Sequence, residues 1–340
     1  MIKGRACRAT GAVISALAVL LSGSDLSAKT LEVGPNHRLK LPSAAAAIAG
    51  NGDIIEIEPG EYADCAVWSA SGLTIEGRRT GAVIADRTCE GKGLFITRGN
   101  DITIRNLTFA RARAPEGNGA GIRVEGKNLT VERSRFIDNE NGILAGNSPG
   151  SILISGSEFL RNGKCAPTCA HGIYVGHIAL LRVTSSKFSE TKEGHHIKSR
   201  ALRTELIGDD IRDGRDGTAS YLVDIPNGGS LVMENNTLEK GPHSSNARAA
   251  VLVDDIGFYQ VPELTFANNR FVNDGNATTI FVLNWSSVPP KLDANRLVGH
   301  VVAVSEDGIS VHRLHEYAGW LMTWTRRMVH FAKGKIWGQR

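Results

Sequence analysis

The sequence has little net charge, no apolar run long enough to cross a bilayer, and no histidine or cysteine pattern typical of a zinc site. Its 340 residues carry a formal net charge of +4 at pH 7. A charge this small does not indicate a nucleic-acid partner, and it would not repel an acidic ligand. No two histidines have the helical spacing of a zinc motif, and no cysteine pair flanks them. With 41% hydrophobic and 22% charged residues, the chain can bury a sizeable core.

The N-terminal segment has the pattern of a secretory signal. A basic start is followed by an apolar run over residues 11–21 and by small residues up to Ala28. The run is too short to span a bilayer, so a signal cut near Ala28 is the better interpretation. We therefore expect a signal peptide over 1–28, a mature domain over 29–308, and a periplasmic or secreted protein.

The cysteines agree with export. Apart from Cys7 in the leader, four remain, an even number that suits disulfides in an oxidising compartment. Cys165 and Cys169, in CAPTC, could close a small loop. Cys65 and Cys89 lie 24 residues apart.

An internal repeat fills most of the chain. Eight segments, ITIRNLTF and LTFANNRF among them, run from a β-branched triplet through a polar step to one apolar residue. They end 23 to 33 residues apart, at Phe109, Phe136, Phe159, Phe188, Ile211, Leu238, Phe271 and Leu297. Between them lie shorter segments: GIRV, GILA, GIYV, HIKS, YLVD, VLVD and IFVL. Each period thus holds at least two strands and no crossover helix, and such coils bury their inward side chains by stacking on neighbours.

Polar residues recur near the end of the first segments. They are Asn106, Ser134, Ser157, Ser186, Asn236, Asn269 and Asn295. Stacked one per coil, they could bond to one another and to turn backbone. Residues one period apart would lie above one another, so the spacing of Cys65 and Cys89 fits a bridge between adjacent coils.

On these repeats the sequence resembles the right-handed parallel β-helix proteins of the pectate-lyase-like group, over roughly residues 40 to 305. The stretch PSAAAAIAGNGDIIEIEPGEY is similar to the capping helix and first coil of many members. The resemblance implies an all-β, single-stranded solenoid of roughly ten coils with short capping helices at both ends. The scaffold hosts lyases, hydrolases, epimerases and non-catalytic proteins, so it leaves the function open.

Alternation along the second segments predicts which residues face outward. The residues expected inward are Ile122, Ile143, Ile173, Ile197, Tyr221, Val251 and Ile280. One outward column then holds Arg123, Leu144, Tyr174, Lys198, Leu222, Leu252 and Phe281. The next holds Glu125, Gly146, Gly176, Arg200, Asp224, Asp254 and Leu283. The middle coils should therefore share one polar face.

This face supplies the candidate site residues. Lys198, Arg200, His195 and His196 are the catalytic candidates, although exposed basic residues are also commonly just solvated. The substrate-binding candidates are Tyr174, His177, Asp224, Asp254 and Asp255. The aspartates could act as acid and base or serve turns.

Two local resemblances concern the chemistry. Glu193, Lys198 and Ser199 are similar to a segment of alginate and chondroitin lyases, which implies Ca²⁺ binding by Glu193 and a base role for Lys198. About one coil further on, where those lyases carry an arginine, this sequence reads ASY from residue 219. The polygalacturonase-like hydrolases have elements similar to those around His177, Asp224 and Asp254, but in a different order.

The C-terminal segment has a different pattern. Apolar residues recur at three- and four-residue steps, at Leu314, Tyr317, Leu321, Trp324, Met328 and Phe331. We expect an amphipathic helix over 309–340. It could cap the open end of the coils or make a peripheral contact with an anionic membrane.

Three functions follow from the sequence. The first is a lyase or C5-epimerase that acts on an acidic, uronate-containing polysaccharide, with Ca²⁺ as the one cofactor considered. The second is a non-catalytic glycan-binding or scaffold module, and the third a polygalacturonase-like hydrolase. We expect a monomer that binds no nucleic acid.

Overall fold

The computed structural model describes residues 1, 28–148 and 150–305. Over this part of the chain the backbone winds into about ten coils, each with three short strands that join three separate parallel sheets. The predicted all-β solenoid is thus confirmed. Almost all of the predicted signal peptide and the whole predicted helix over 309–340 lie outside the described residues.

The strands are numbered β1 to β33 in chain order. Sheet 1 contains β1 (Thr30–Val33), β2 (Ile54–Ile57), β5 (Thr74–Gly77), β8 (Ile102–Arg105), β11 (Leu129–Glu132), β14 (Ser151–Ser155), β19 (Leu180–Thr184), β22 (Arg203–Ile207), β25 (Ser230–Glu234), β28 (Leu264–Ala267) and β31 (Lys291–Asp293). Sheet 2 contains β3 (Gly60–Tyr62), β6 (Ala82–Ala85), β9 (Leu107–Ala110), β12 (Arg135–Ile137), β15 (Glu158–Leu160), β20 (Lys187–Ser189), β23 (Asp210–Arg212), β26 (Thr237–Lys240), β29 (Arg270–Asn273) and β32 (Arg296–Val298).

Sheet 3 contains β4 (Ala66–Trp68), β7 (Gly93–Thr97), β10 (Ala120–Val124), β13 (Asn141–Ala145), β18 (Ile173–Val175), β21 (Ile197–Ser199), β24 (Val223–Ile225), β27 (Ala249–Val253), β30 (Thr279–Asn284) and β33 (Val301–Ser305). A small antiparallel hairpin, β16 (Lys164–Cys165) with β17 (Cys169–Ala170), stands outside the three sheets.

Each repeated segment forms two strands rather than one. In ITIRNLTF the first four residues belong to sheet 1 and the last three to sheet 2, and Asn106 forms the corner with a φ of 58°. Asn235 and Asn268 occupy the equivalent corners with φ of 57° and 54°. Asparagine tolerates this left-handed conformation better than most residues, which explains its recurrence there.

The predicted polar column exists, and its register is set by backbone-to-side-chain hydrogen bonds. The Asn236 N–H donates to Asn269 Oδ1 at 3.0 Å, and the Asn269 N–H donates to Asn295 Oδ1 at 3.0 Å. The prediction that placed Asn106 in this column is wrong. Asn106 is the corner residue of its coil and lies one position before the column. Asp209, which the sequence pattern missed, occupies the column between Ser186 and Asn236.

The apolar closing residues form the predicted vertical stack inside sheet 2. Phe109, Phe136, Phe159 and Phe188 pair in register on successive strands. The Phe136 and Phe159 rings are parallel with centroids 4.6 Å apart, and Phe159 and Phe188 repeat this spacing. All four side chains are buried, so the stack anchors the core of the solenoid.

Both predicted disulfides are present. Cys65–Cys89 precedes the paired strands β4 and β7 and so links adjacent coils, while Cys165–Cys169 closes the hairpin. Among the described residues the one helix is α1 (Pro42–Ala46), which contacts β1 and β4. None of the described helices has the length and apolar character needed to cross a membrane.

Candidate active site

The outer face of sheet 3 carries the candidate residues, but in a register that differs from the predicted one. Ile197 pairs with Val223 and Lys198 with Asp224, not with Tyr221 and Leu222. Two further residues enter the turn before β24, and Leu222 points into the core there. The same error recurs at β30, where Val282, rather than Ile280, pairs with Val251.

With the register corrected, Tyr174, Lys198 and Asp224 lie side by side on successive strands. Adjacent parallel strands are about 4.8 Å apart, so these side chains are in direct reach of one another. The sequence placed all three on this face and is confirmed in that respect. It put Asp224 in the neighbouring column beside Arg200, which is wrong.

A ladder of hydrogen bonds runs along the entry to these strands. Asn141 Oδ1 accepts the N–H of His171 at 2.8 Å, His171 Nδ1 accepts the N–H of His195 at 3.0 Å, and His195 Nδ1 accepts the N–H of Tyr221 at 3.1 Å. The two imidazole rings stack with centroids 4.9 Å apart. Because each Nδ1 is an acceptor, each neutral ring carries its proton on Nε2.

The protonation of both histidines is strongly biased toward the neutral form. Burial lowers the pKa of His171 and of His195 well below the ordinary value, and the nearby Lys198 cation lowers both further. The two rings are therefore fixed hydrogen-bond donors through Nε2, rather than bases poised to accept a proton near neutral pH.

Lys198, Asp224 and His195 form one charged cluster. Asp224 Oδ2 lies 2.6 Å from Lys198 Nζ and 3.2 Å from His195 Nε2. Burial raises the pKa of Asp224, and the Lys198 and Arg200 cations oppose this shift. The Lys198 ammonium is engaged in this ion pair, and an ammonium has no lone pair with which to accept a proton.

His196 points away from this face. It is completely buried, with Nδ1 2.7 Å from Thr191 Oγ1 and Nε2 3.0 Å from Asp213 Oδ1. The residue predicted as a catalytic candidate beside His195 thus belongs to the polar interior beneath the site. Both residues precede β21, and the alternation of that strand does not extend to them, because His196 is buried like the adjacent Ile197.

A cleft of about 490 Å³ opens beside the cluster. Its floor includes Arg123, Tyr174 and Arg200. Arg200 Nε donates to Tyr174 Oη at 3.1 Å, and one Nη of Arg200 donates to Asn227 Oδ1. Arg123 Nε is buried without a hydrogen-bond acceptor among the described residues. Two guanidinium groups and a phenol therefore face one open space.

Two loops form walls of this cleft. Asn118 lies in the segment between β9 and β10, and Thr168 lies in the disulfide-closed hairpin. The two walls are connected, because Thr168 Oγ1 donates to the carbonyl of Glu116 at 3.2 Å. The hairpin is also held from below by Glu193, whose Oε2 accepts the N–H of Cys165 at 2.5 Å.

The surroundings of Glu193 do not fit a Ca²⁺ site. Calcium needs six to eight oxygen ligands, usually with several carboxylates. Glu193 already accepts the backbone N–H of Cys165, and the described part of the chain holds no group of three or more His, Cys, Asp or Glu residues arranged to bind a metal.

The remaining predicted residues lie at the rim. His177 lines the cleft, and its Nδ1 lies 2.7 Å from Tyr259 Oη. Asp254 follows β27 with a φ of 63°, and its N–H donates to the Ile225 carbonyl at 2.9 Å. Asp254 and the next residue, Asp255, are not among the residues that line the cleft.

Sequence reasoning missed His171, Asn227 and Tyr259, and did not select Arg123. A signal for His171 exists, because it precedes Ile173 by two residues as His195 precedes Ile197. Arg123 stood in the predicted outward column beside Tyr174. No pattern indicates Asn227 or Tyr259, since loops bring them to the site.

Comparisons with known proteins agree with this architecture. The family model for a right handed beta helix region matches residues 41–168. The chain thus has the fold of the right-handed parallel β-helix proteins. Its fold is similar to that of an alginate lyase from Paenibacillus sp. str. FPU-7, with a TM-score of 0.58 and 17% identity over 81% of this chain and 99% of that one. It is also similar to the pectate lyase Pel9A, with a TM-score of 0.54 and 16% identity over 84% of this chain and 83% of that one. Such identities establish the shared β-helix alone, and no curated protein matches the sequence significantly.

Proposed function

We propose that this β-helix protein is exported and acts on a uronate-containing polysaccharide as a lyase or a C5-epimerase. The observation that carries the proposal is the cleft floor, where Arg123, Arg200 and Tyr174 line one open space and Arg200 donates to the Tyr174 hydroxyl. Two disulfides support an oxidising compartment. The solved structures with a similar fold include a pectate lyase and an alginate lyase.

The guanidinium groups suit a carboxylate ligand. Arginine presents planar pairs of donors that match the two oxygens of a carboxylate. Arg123 lines the cleft, and its buried Nε has no hydrogen-bond acceptor among the described residues. Arg200 engages Tyr174 and Asn227 and retains further N–H donors.

The proposed reaction begins with removal of the proton at C5 of a uronate. The C5–H electron pair then moves toward the carboxylate, and Arg123 and Arg200 stabilise the negative charge that develops there. Tyr174 is the proposed proton acceptor, because it lines the cleft and its hydroxyl is held by the hydrogen bond from Arg200 Nε at 3.1 Å. In a lyase the C4–O bond breaks, a C4=C5 double bond forms, and the leaving O4 oxygen takes a proton from Tyr174 or from water. In an epimerase water returns a proton to the other face of C5.

Lys198, His195 and His171 have supporting roles in this proposal. Lys198 and Asp224 neutralise one another, and His195 Nε2 lies 3.2 Å from Asp224 Oδ2. The cluster fixes the strand that carries Lys198 and Arg200, so it keeps the Arg200 guanidinium aimed at Tyr174. These residues therefore act by positioning the cleft floor.

The test combines two readouts of the same proton abstraction. The purified protein is incubated with alginate, polygalacturonate and chondroitin; ultraviolet absorbance reports unsaturated uronates, and NMR in D₂O reports deuterium at C5. Tyr174→Phe and Arg200→Ala should each lower the rate about 10²- to 10⁴-fold. Arg135→Ala, an exposed arginine on sheet 2, should not change it. The proposal fails if no uronate polymer shows either unsaturation or exchange.

A non-catalytic glycan-binding module is the second candidate. It is favoured because Lys198 is paired with Asp224 and because the Nδ1 atoms of His171 and His195 accept backbone N–H groups. Of these candidates, Tyr174 is left as the base in the cleft. Saturable binding of a uronate oligosaccharide without turnover or exchange would select it.

Hydrolysis through Asp224 and Asp254 has less support, since neither carboxylate lines the cleft.

A further inference from the structure

An exposed aromatic side chain stands at one end of the cleft. Phe258, in the loop after β27, has 66% of its surface exposed, and Ile256 in the same loop has 56%. The Phe258 ring centroid lies 4.8 Å from that of His177, which lines the cleft. The apolar ring is thus a direct continuation of the polar cleft.

The loop is held in place by hydrogen bonds rather than by burial. The N–H groups of Phe258 and Tyr259 both donate to the Asn227 carbonyl, at 3.2 and 2.8 Å, and the Ile256 N–H donates to the Pro226 carbonyl at 2.9 Å. The side chain of Asn227 also accepts from Arg200. The backbone of this loop is therefore tied to the same residue, Asn227, that accepts from the Arg200 guanidinium.

The contact between Tyr259 and His177 fixes the loop a second time. Tyr259 Oη lies 2.7 Å from His177 Nδ1, and the Tyr259 and Phe258 rings meet edge to face at 4.9 Å. A well-anchored phenylalanine kept in solvent beside a cleft is preorganised for a ligand, because little entropy is lost when the ligand binds.

We propose that Phe258 is a stacking platform for a sugar ring next to the one whose carboxylate Arg123 and Arg200 bind. This inference rests on the proposed function and extends the same site by one sugar. A pyranose has an apolar C–H face that suits an aromatic ring, and the adjoining guanidinium groups select an anionic chain. Two exposed side chains form too small a surface for a stable protein partner, which would bury about 800 Å² on each side.

The platform predicts that affinity depends on chain length. An oligouronate long enough to cover both the guanidinium groups and Phe258 gains the stacking contact, whereas a shorter one does not. Loss of the ring should therefore weaken binding of the long ligand about five- to tenfold, the scale of an aromatic contact. Because the ring lies away from the reacting sugar, KM rises and kcat stays the same.

The experiment measures the Kd of a single uronate sugar and of an oligouronate of six sugars by calorimetry for the full chain and for Phe258→Ala, Phe258→Trp and Ile256→Ala. Thermal unfolding confirms that each variant is folded. Phe258→Ala should weaken binding of the hexamer and leave binding of the single sugar unchanged. Phe258→Trp should retain affinity, and Ile256→Ala should match the parent because it removes no ring.

Each result decides between the two proposals. Equal affinity of the parent and Phe258→Ala for both lengths would overturn the platform while the uronate site stands. If carboxyl-reduced oligosaccharides of the same length bind as well as the uronates and lose affinity in Phe258→Ala, the platform stands and the uronate specificity falls. If the parent binds none of these ligands, both are overturned.

Discussion

Lys198 and Asp224, one coil apart, form an ion pair in which 2.6 Å separates Nζ from Oδ2. Their side chains are only 17% and 3% exposed. A carboxylate buried to this extent is stable only while a partner compensates its charge. The pair thus explains how a charged aspartate can lie on the strand next to Lys198 without facing solvent.

Removing one member of this pair should cost more than removing both. Lys198→Met leaves the Asp224 carboxylate with His195 alone, and we expect the free energy of unfolding to fall by about 3 kcal/mol at pH 8. Lys198→Met with Asp224→Asn should recover part of that loss. Urea unfolding of the parent, both single variants and the double variant measures the coupling; strictly additive effects would contradict it.

The same variant should show a pH dependence of known sign. Burial raises the pKa of Asp224, and loss of Lys198 removes a cation that opposes this shift. A raised carboxyl pKa makes stability greatest where the group is protonated and lowers it as the pH rises. The deficit of Lys198→Met should therefore shrink as the pH falls from 8 to 4, and a constant deficit would argue against a buried carboxylate.

The histidine ladder predicts an acid-sensitive step in stability. The pKa of His171 is lowered by burial, so its contribution to stability is present above its ordinary pKa and is lost as the pH falls toward the folded value. His171→Asn should reduce this loss, because Asn141 already shows that an asparagine Oδ1 accepts a backbone N–H in this ladder. Thermal unfolding at pH 7 and pH 5 should show a smaller drop for the variant; an equal drop would place the acid sensitivity elsewhere.

The architecture could be predicted because its determinants repeat. Phe136 and Phe159 lie 23 residues apart in the sequence and stack in the structure, so periodicity alone gave the coils and their vertical order. The Cys65–Cys89 disulfide followed from the same periodicity. The predicted face of sheet 3 was correct for Tyr174, Lys198 and Arg200, since those coils have turns of similar form.

The register failed where turns change length. The turn before β24 holds two more residues than strict alternation assumes, and Asp224 moved into the column of Lys198. Alternation also says nothing of how a strand begins, so it could not separate the outward His195 from the inward His196. Loop residues such as Phe258 reach the site through backbone hydrogen bonds that leave no periodic trace.

Asp209 is an acidic residue in a column that otherwise uses serine and asparagine. Asn236 donates through Nδ2 to the Leu206 carbonyl at 2.9 Å, whereas Asp209 Oδ2 has no hydrogen-bond partner among the described residues. Burial raises the pKa of Asp209 to about 7. Its ionisation is therefore unfavourable in the folded chain, and stability should fall as the pH rises from about 4 to 7.

Asp209→Asn should remove this pH dependence. Above pH 7 the variant should be more stable than the parent by about 1–3 kcal/mol, because an unpartnered buried oxygen is replaced by a donor. Below pH 4 the two should differ little. Asn269→Asp is the matched control and should introduce the same penalty at high pH. Thermal unfolding across this range provides the measurement, and a parallel decline of parent and Asp209→Asn would count against the assignment.

The two disulfides should have separable effects. Cys65 and Cys89 are 24 residues apart and link two coils, whereas Cys165 and Cys169 are four apart. In the chain-entropy account the longer loop contributes about 3–4 kcal/mol and the shorter about 2 kcal/mol. Replacing Cys65 and Cys89 by serine should thus lower the unfolding temperature more.

Binding should show the opposite order. Cys169 and Thr168 line the cleft. Replacing both hairpin cysteines by serine should loosen this wall, because the hydrogen bonds to Glu193 and Glu116 would then be its remaining two attachments. That variant should weaken oligouronate binding while the Cys65 and Cys89 variant keeps the parent Kd, because β4 and β7 lie coils away from Arg200. Calorimetry at a temperature where both variants are folded makes the comparison. Equal Kd values for the parent and the hairpin variant would show that the hairpin shapes the surface without contributing to the site.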